Sequence, residues 1–196
     1  MNGGFCWSAD ERRATAGLYR LLARLWLREV DPTLVDLLNR DPILAAFFPI
    51  SCDTSSPLID AAMLEMLSVD FCRLFVGPRG HRIPSQSVWQ HGMLESETTV
   101  SMRQWIDLVG YASRVDSGNV PHDHLAVQLD VMAHILGQHD LWESHPEELE
   151  SLAATYHAAH LSWASPLLDE VESRAETSLY RQLAHVTRDA LRLVPA

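Results

Sequence analysis

The spacing of apolar residues is the feature that most constrains the fold of this 196-residue chain. From Pro57 to Phe75 the apolar side chains recur every three to four positions, the period of an α-helix that buries one face. Gly77 and Pro78 follow, and they predict that this helix ends there with Gly77 in the left-handed conformation. Similar periods recur along the chain, and no stretch alternates apolar and polar residues as a half-buried β-strand does. The sequence therefore predicts an all-α fold.

Short polar signals predict where several helices begin. A capping box pairs a serine with a glutamate three residues later, and an acid or serine before a proline marks a first helical turn. The predicted starts are Ser8 with Glu11, Asp31-Pro32, Asp41-Pro42, Ser56-Pro57 and Ser144 with Glu147. Further helices are expected at about 97–110, 121–138, 166–175 and 178–193, after a first helix at about 9–28.

The length and composition favour one folded unit. A chain of 196 residues that is 47% hydrophobic and 21% charged can bury a substantial core. We expect residues 1–196 to form a compact single-domain helical bundle of about eight to ten helices. The segment Gly77–Ser96 is the longest predicted loop, and loops of that length within a domain are usually functional.

The sequence favours a cytoplasmic protein. The first ten residues lack the basic and apolar regions of a secretory signal, and no window approaches eighteen uninterrupted apolar residues, so no membrane insertion is expected. Cys6, Cys52 and Cys72 are odd in number and show no metal-ligand spacing, which suits a reducing compartment.

The charge is unevenly distributed along the chain. The formal net charge is −11, and residues 115–173 hold eleven acids and no lysine or arginine. The rest of the chain is neutral, since it carries 26 − 11 = 15 acids and all fifteen arginines. A field of this sign repels nucleic acid and anionic lipid and attracts cationic partners, although the charge could also serve solubility alone.

No motif predicts catalysis or a bound metal. Seven of the ten histidines lie between His122 and His160, but neither an HExxH motif nor a cysteine accompanies them. The chain also lacks GxSxG, GxGxxG and GxxxxGK[ST] sequences. Asp123 and His124 are neighbours that would point about 100° apart on a helix, so they cannot form a dyad by themselves. We therefore expect a protein that is not an enzyme and has no metal site.

Several short motifs together resemble one known family. Phe71-Cys72-Arg73-Leu74-Phe75-Val76-Gly77-Pro78 is similar to an aromatic-x-x-Leu-Phe-x-Gly-Pro helix end, and Pro121-His122-Asp123-His124 to an acidic-Asp-His element expected in the first turn of a helix. In order and spacing these motifs resemble the TorD/DmsD/NarJ family of redox-enzyme maturation chaperones. Ser87-Val88-Trp89, Glu95-Ser96 and Arg103-Gln104-Trp105 look most like the DmsD branch.

The resemblance implies a function in cytoplasmic protein maturation. Such a chaperone binds the twin-arginine signal peptide of a molybdoenzyme precursor, here one like dimethyl sulfoxide reductase, and assists folding, cofactor insertion and export proofreading. The acid-rich interval would face the arginines, and an apolar groove would take the hydrophobic segment as a helix. Components of the Tat translocase are further possible partners.

The resemblance also implies a set of signal-peptide-binding residues. Apolar contacts would come from four side chains, Pro84 would fix the loop, and Asp123 with His124 would form the polar anchor. The four apolar residues are Phe71, Leu74, Phe75 and Trp89, of which Leu74 and Phe75 could equally be core residues. The chain departs from the family pattern at Ser85, where an aromatic residue is usual, and at His122, where an acid is common.

Two alternatives stay open. The protein could be a helical interaction module for another basic partner. It could also be a maturation factor that binds guanine nucleotide or the molybdopterin cofactor, as some members of the family are reported to do. Apart from that alternative, no cofactor is expected.

Overall fold

The computed structural model describes residues 7–50, 61–78, 80–112 and 120–194. These residues contain eleven α-helices, a π-helical turn at Cys72–Val76, a 3₁₀ turn at Ser162–Ala164 and no β-strand, so the prediction of an all-α fold is confirmed. The α-helices are α1 (Ala9–Leu27), α2 (Pro32–Arg40), α3 (Pro42–Phe47), α4 (Ala61–Phe71), α5 (Gln86–His91), α6 (Glu97–Leu108), α7 (Leu125–Leu136), α8 (His139–Ser144), α9 (Pro146–His160), α10 (Ser165–Arg174) and α11 (Ser178–Arg192).

The described residues group into two compact units, each assembled from separate stretches of the chain. The first unit comprises residues 7–26, 85–112, 120–164 and 189–194. The second unit comprises residues 27–50, 61–78, 80–84 and 165–188. A single domain spanning residues 1–196 stays a prediction.

Local hydrogen bonds confirm three of the predicted helix starts. Ser8 and Glu11 form a capping box, in which the Ser8 N–H donates to Glu11 Oε2 at 2.8 Å and the Glu11 N–H donates to Ser8 Oγ at 3.2 Å. The Asp31 carboxylate accepts the Leu34 N–H at 2.9 Å, and Asp41 accepts two N–H groups in the first turn of α3. These side chains satisfy helix N–H groups that have no partner within the helix.

The capping box predicted at Ser144 is wrong. Ser144 is the last residue of α8, a short helix that the sequence did not reveal, and its hydroxyl donates to the Asp140 carbonyl at 2.8 Å. Because the Ser144 hydroxyl is bound to a carbonyl one turn earlier in α8, it does not cap the first turn of α9. His145 is the residue that precedes α9, and no side-chain bond caps the helix there. The predicted start at Ser56-Pro57 lies outside the described residues.

The end of α4 differs from the prediction at Gly77. The chain passes from α4 into the π-helical turn, and Gly77 has a φ of −58°, which is not left-handed. Its N–H donates to the Cys72 carbonyl at 2.6 Å, and a Cβ at this position would lie 3.1 Å from the same oxygen. Glycine is therefore suited to this position by the close approach of the backbone and not by a positive φ.

The long loop predicted between Gly77 and Ser96 is interrupted by helix α5. This helix ends at His91 and is followed by Gly92, whose φ of +72° is in the left-handed region. Only Val88 and Trp89 are apolar in these six residues, too few to show a helical period. The predicted loop is thus two shorter connections on either side of a helix.

Helix α7 lies at the centre of the first unit. Every one of its residues except His134 is buried, and it packs against α9. Tyr156 of α9 donates its hydroxyl to the Gln128 carbonyl at 2.9 Å, and its ring packs edge-on against Trp105 of α6 at 5.3 Å. On α6 Met102 is fully buried, and Trp105 and Ile106 are half-buried.

None of the helices in the described ranges is both long and apolar enough to cross a membrane.

Candidate functional site

The residues predicted to bind a signal peptide are divided between the two units. Phe71, Leu74, Phe75 and Pro84 belong to the second unit. Trp89, Asp123 and His124 belong to the first.

The three apolar residues of the α4 end pack in the core of the second unit. The exposed fractions of Phe71, Leu74 and Phe75 are 4%, 1% and 7%. The rings of Phe71 and Phe75 lie edge to face at 5.0 Å, and both contact the ring of Tyr180, at 5.8 and 6.2 Å. Pro84 is also buried. These side chains build the second unit, and their contact with a peptide stays a prediction.

Asp123, the one acid of the predicted set, is fully buried, with an exposed fraction of 0%. Its Oδ2 accepts the Ser87 N–H at 2.7 Å and the Thr98 hydroxyl at 3.0 Å. The Asp123 carbonyl accepts the Gln86 N–H at 3.0 Å. The backbone and the side chain of Asp123 are therefore both hydrogen-bonded to the start of α5, and its side chain is also hydrogen-bonded to the start of α6. Asp123 Oδ1 is buried without a partner among the described residues.

His124, and not Asp123, caps helix α7. The helix predicted at about 121–138 is present as α7, which begins four residues later, at Leu125, with His124 as its N-cap residue. The His124 Nδ1 accepts the Ala126 N–H at 3.2 Å, so this ring nitrogen carries no proton. Burial lowers the pKa of His124 to about 4, although the charge of Asp123 acts in the opposite direction. A neutral imidazole is what the cap requires, because a protonated Nδ1 could not accept a hydrogen bond.

Asp123 and His124 together fix the position of the helix that carries Trp89. Ser85 and His124 form an isolated antiparallel bridge immediately before α5 and α7. Trp89 lies in the following turn of α5 and is half-buried. The structure therefore brings these three predicted residues together in one part of the first unit, where the two buried residues position a partly accessible aromatic residue.

A buried network of hydrogen bonds, which the sequence did not reveal, lies beside this element. The side-chain oxygen of Gln86, Oε1, accepts a hydrogen bond from the side-chain amide of Gln128 at 2.8 Å and lies 3.0 Å from His160 Nδ1. Trp163 Nε1–H donates to Gln128 Oε1 at 2.9 Å. Since an indole N–H can only donate, it fixes the orientation of the Gln128 amide, and that amide in turn fixes Gln86.

The network also fixes the protonation state of His160. Its Nδ1 faces a carbonyl oxygen and must carry the proton, so Nε2 accepts from the Ser101 hydroxyl at 3.1 Å. Burial lowers the pKa of His160 to about 4, against the opposing charge of Asp123. His160 is one of the seven histidines between His122 and His160, for which the sequence predicts no metal site. It is a neutral residue of a buried polar network, and no sequence signal marks the glutamines that hold it.

A second buried acid, Asp70, was missed in the second unit. Its exposed fraction is 1%, and its Oδ1 accepts a hydrogen bond from Arg73 at 2.8 Å. Its Oδ2 accepts the N–H groups of Glu176 and Thr177 at 3.1 and 2.8 Å and the Thr177 hydroxyl at 2.7 Å. Asp70 thus ties α4 to the connection between α10 and α11.

The acid-rich interval places exposed carboxylates on α8 and the first turn of α9. Four acids within ten residues are exposed, and none forms an ion pair with a described residue. They are Asp140, Glu143, Glu147 and Glu148. A cationic partner would meet unpaired carboxylates here.

No group of three or more histidine, cysteine or acidic residues in the described part of the chain is arranged to hold a metal ion. The expectation of no metal site stays a prediction.

Comparison with known proteins identifies the family. The model of the nitrate reductase delta subunit family matches residues 44–169. The chaperone protein YcdY of Escherichia coli is 31% identical over 178 residues, which cover 89% of this chain and 90% of YcdY. The chaperone protein TorD of Photobacterium profundum is 30% identical over 125 residues, which cover 61% of this chain and 57% of that TorD.

A crystal structure shares the fold. It is that of an Archaeoglobus fulgidus protein described as a candidate redox enzyme maturation protein, with a TM-score of 0.51 over 97% of this chain and 99% of that one. The two sequences are 17% identical, so this likeness concerns the fold alone.

The relatives are named as chaperones, and the prediction that the protein is not an enzyme is confirmed. They do not single out the DmsD branch, which stays a prediction. On the match of the family model and the full-length similarity to YcdY, the chain belongs to the TorD/DmsD/NarJ family of redox-enzyme maturation chaperones.

Proposed function

We propose that this chaperone acts in the cytoplasm and binds the twin-arginine signal peptide of a molybdoenzyme precursor, one like dimethyl sulfoxide reductase. It holds the precursor while the enzyme folds and receives its cofactor, and it releases the signal for export proofreading at the Tat translocase. The observation that carries this proposal is the cluster of exposed carboxylates on α8 and α9 that form no ion pair with a described residue, within an interval that contains no lysine or arginine.

The cluster suits the arginine pair of such a peptide. A guanidinium group can donate two parallel hydrogen bonds to a carboxylate, a geometry that an ammonium group cannot reproduce. Each exposed charge pair contributes only about 0.2–1 kcal/mol, so the carboxylates would supply specificity and a fast encounter. The larger part of the affinity is then expected from apolar contact.

The residues predicted from the resemblance enter the proposal through their positions. Trp89, half-buried on α5, offers apolar contact area to the peptide. Asp123 and His124 are positioning residues, since they fix α5 and the start of α7. Phe71, Leu74 and Phe75 would act by shaping the end of α4, with Pro84 leading into α5.

Calorimetric titration of the full chain with a synthetic twin-arginine leader tests the proposal. We expect binding to weaken when the arginine pair is replaced by two lysines. We also expect the Glu147→Gln/Glu148→Gln double variant to lose about fivefold in affinity and to become less sensitive to salt. Asp107→Asn on α6 is the matched control, because Asp107 is exposed but lies outside the interval.

Two results would count against the proposal. If the unaltered chain does not bind the leader, the function is wrong. If it binds but the double variant equals the control, the carboxylates of α9 are not the arginine site.

The proposal includes no resident cofactor. Thermal unfolding with guanosine triphosphate, with and without a divalent metal, checks this, because a ligand that binds the native state raises the melting temperature. We expect no rise. A rise of several degrees would instead favour a nucleotide-binding maturation factor.

A further inference from the structure

Helix α8 of the first unit is anchored by a single side chain. It has six residues, too few for a helix to be stable on its own in water, and no side chain caps its start. Trp142 is the one buried residue among the six. Asp140 and Glu143, two of the four carboxylates in the cluster on α8 and α9, are its exposed neighbours, two residues before it and one residue after it. The placement of these two carboxylates therefore depends on how Trp142 is held.

Two polar contacts hold the indole of Trp142. Its Nε1–H donates to the Ile135 carbonyl, in the last turn of α7, at 2.9 Å. The guanidinium carbon of Arg12, a residue of α1, lies over the indole at 5.1 Å from the ring centroid. A guanidinium group is attracted by the negative face of a tryptophan ring, and the attraction is strongest where water is excluded. The hydrogen bond thus fixes the edge of the indole, and Arg12 covers its face.

Arg12 is a buried cation, with an exposed fraction of 8%. Its Nη1 donates to the Trp7 carbonyl at 2.9 Å, and its Nε is buried without a hydrogen bond to a described residue. No carboxylate in the described ranges forms an ion pair with it. Burying a guanidinium group without a carboxylate costs free energy, and the contact with Trp142 offsets part of that cost. Arg12 and Trp142 therefore depend on each other for their placement.

The carboxylates on α9 do not depend on this contact. Glu147 and Glu148 lie in the first turn of a helix of fifteen residues, which is held by its own buried side chains, among them Leu149, Ala153 and Tyr156. Arg12 therefore bears on the α8 half of the carboxylate cluster.

We infer that Arg12 is a positioning residue for the arginine site: through Trp142 it orients the two carboxylates of α8, and it does not contact the peptide itself. The inference rests on the proposed function and concerns residues of the first unit alone. Orientation and charge predict opposite effects for this residue. A positive charge behind the cluster weakens its attraction for a cationic peptide, so the loss of the charge alone would tighten binding. The loss of an orienting contact weakens binding.

The test is a calorimetric titration of the full chain and its variants with a synthetic peptide that carries two adjacent arginines. Arg12→Met keeps a long apolar side chain over the indole but removes the cation. We expect it to weaken binding about threefold, within the range for two weakened exposed charge pairs. Arg12→Lys keeps a cation for the ring but no planar group, so we expect it to recover part of that loss.

The matched control is Arg13→Met, which removes the same charge from the next residue. The Arg13 side chain is 67% exposed and forms an ion pair with the exposed Asp10. We expect this control to bind the peptide as tightly as the unaltered chain or slightly more tightly.

A second comparison tests whether Arg12 acts through α8. The Asp140→Asn/Glu143→Gln background has no carboxylate on α8, so Arg12→Met should cause no further loss of affinity there. A substitution that merely loosened the fold would lower the affinity by the same factor in both backgrounds. Circular dichroism checks that each variant is folded. If Arg12→Met is not, Arg12→Gln replaces it, because glutamine removes the charge and keeps a donor for the Trp7 carbonyl.

The outcomes separate this inference from the proposed function. If the unaltered chain binds the peptide and the Arg12 variant binds as tightly as the Arg13→Met control, the positioning role is wrong and the function stands. Equal losses in the two backgrounds would overturn the positioning role as well. If the unaltered chain does not bind, both the inference and the proposed function are wrong. A loss that is confined to the background with both α8 carboxylates would support the inference.

Discussion

Replacing Asp70 with alanine is the sharpest test of how the second unit is held together. The carboxylate of Asp70 joins three stretches of chain: its own helix α4, the Arg73 guanidinium and the backbone between α10 and α11. It accepts four hydrogen bonds of 2.7–3.1 Å, one of them from a charged donor, at an exposed fraction of 1%. Alanine would leave all four donors without this acceptor.

The expected loss of stability follows from that count. A hydrogen bond to a charged group contributes about 1.5–3 kcal/mol, and breaking a buried charge pair by removing one partner costs about 3–5 kcal/mol. Arg73 is one-third exposed and also donates to the Arg174 carbonyl, so water and that bond offset part of its loss. We therefore expect Asp70→Ala to lower the free energy of unfolding by about 3 kcal/mol, and Asp70→Asn by less, because it keeps one acceptor oxygen.

The assay is urea unfolding together with thermal unfolding. For a chain of this size, a loss of about 3 kcal/mol lowers the melting temperature by roughly 6–12 °C. Asp10→Ala is the matched control, since Asp10 forms an ion pair with Arg13 at the same spacing of three residues but is 91% exposed. The control should lose no more than about 1 kcal/mol.

Equal losses for the two variants would refute the reasoning. They would show that the buried bonds of Asp70 add nothing beyond an ordinary surface pair. An Asp70→Asn variant less stable than Asp70→Ala would refute it in a second way, because the remaining acceptor oxygen would then have no stabilising contact.

Three further predictions concern the first unit and the end of α4. Burial lowers the pKa of His124 and of His160 to about 4 from an ordinary value of 6.5, so between these values the unfolded chain binds protons that the native state does not. The urea midpoint should therefore be highest above about pH 6.5 and fall as the pH is lowered toward 4; a midpoint that does not change with pH would contradict this. Gln86→Leu should cost about 2–4 kcal/mol in urea unfolding, because it leaves the amide of Gln128 and Nδ1–H of His160 buried without an acceptor, and a loss below about 1 kcal/mol would mean that other groups satisfy them. Gly77→Ala should cost about 1 kcal/mol through the close contact with a backbone oxygen, whereas a stabilising effect would show that the π-helical turn relaxes freely.

The helix caps show what could be predicted from the sequence. Asp31 and Asp41 accept hydrogen bonds from backbone N–H groups two or three residues away, and Ser8 and Glu11 bond to each other over three residues. The donor and the acceptor of each bond therefore lie within a few residues of each other in the sequence. The helical period is equally local, because it depends on side chains within a few turns. For the same reason α5 and α8, with six residues each, were too short to show a period.

The sequence by itself therefore determined the class of this protein. It indicated an all-α fold with one strongly acidic interval and no catalytic motif, and the order and spacing of its short motifs resemble those of one chaperone family. Tertiary structure decided which acids are buried and what they hold. Asp123 bonds to Ser87 over 36 positions, and Asp70 bonds to Glu176 and Thr177 over 106 and 107. No local pattern encodes such pairs, because a carboxylate finds a distant N–H group only after the helices between them have packed.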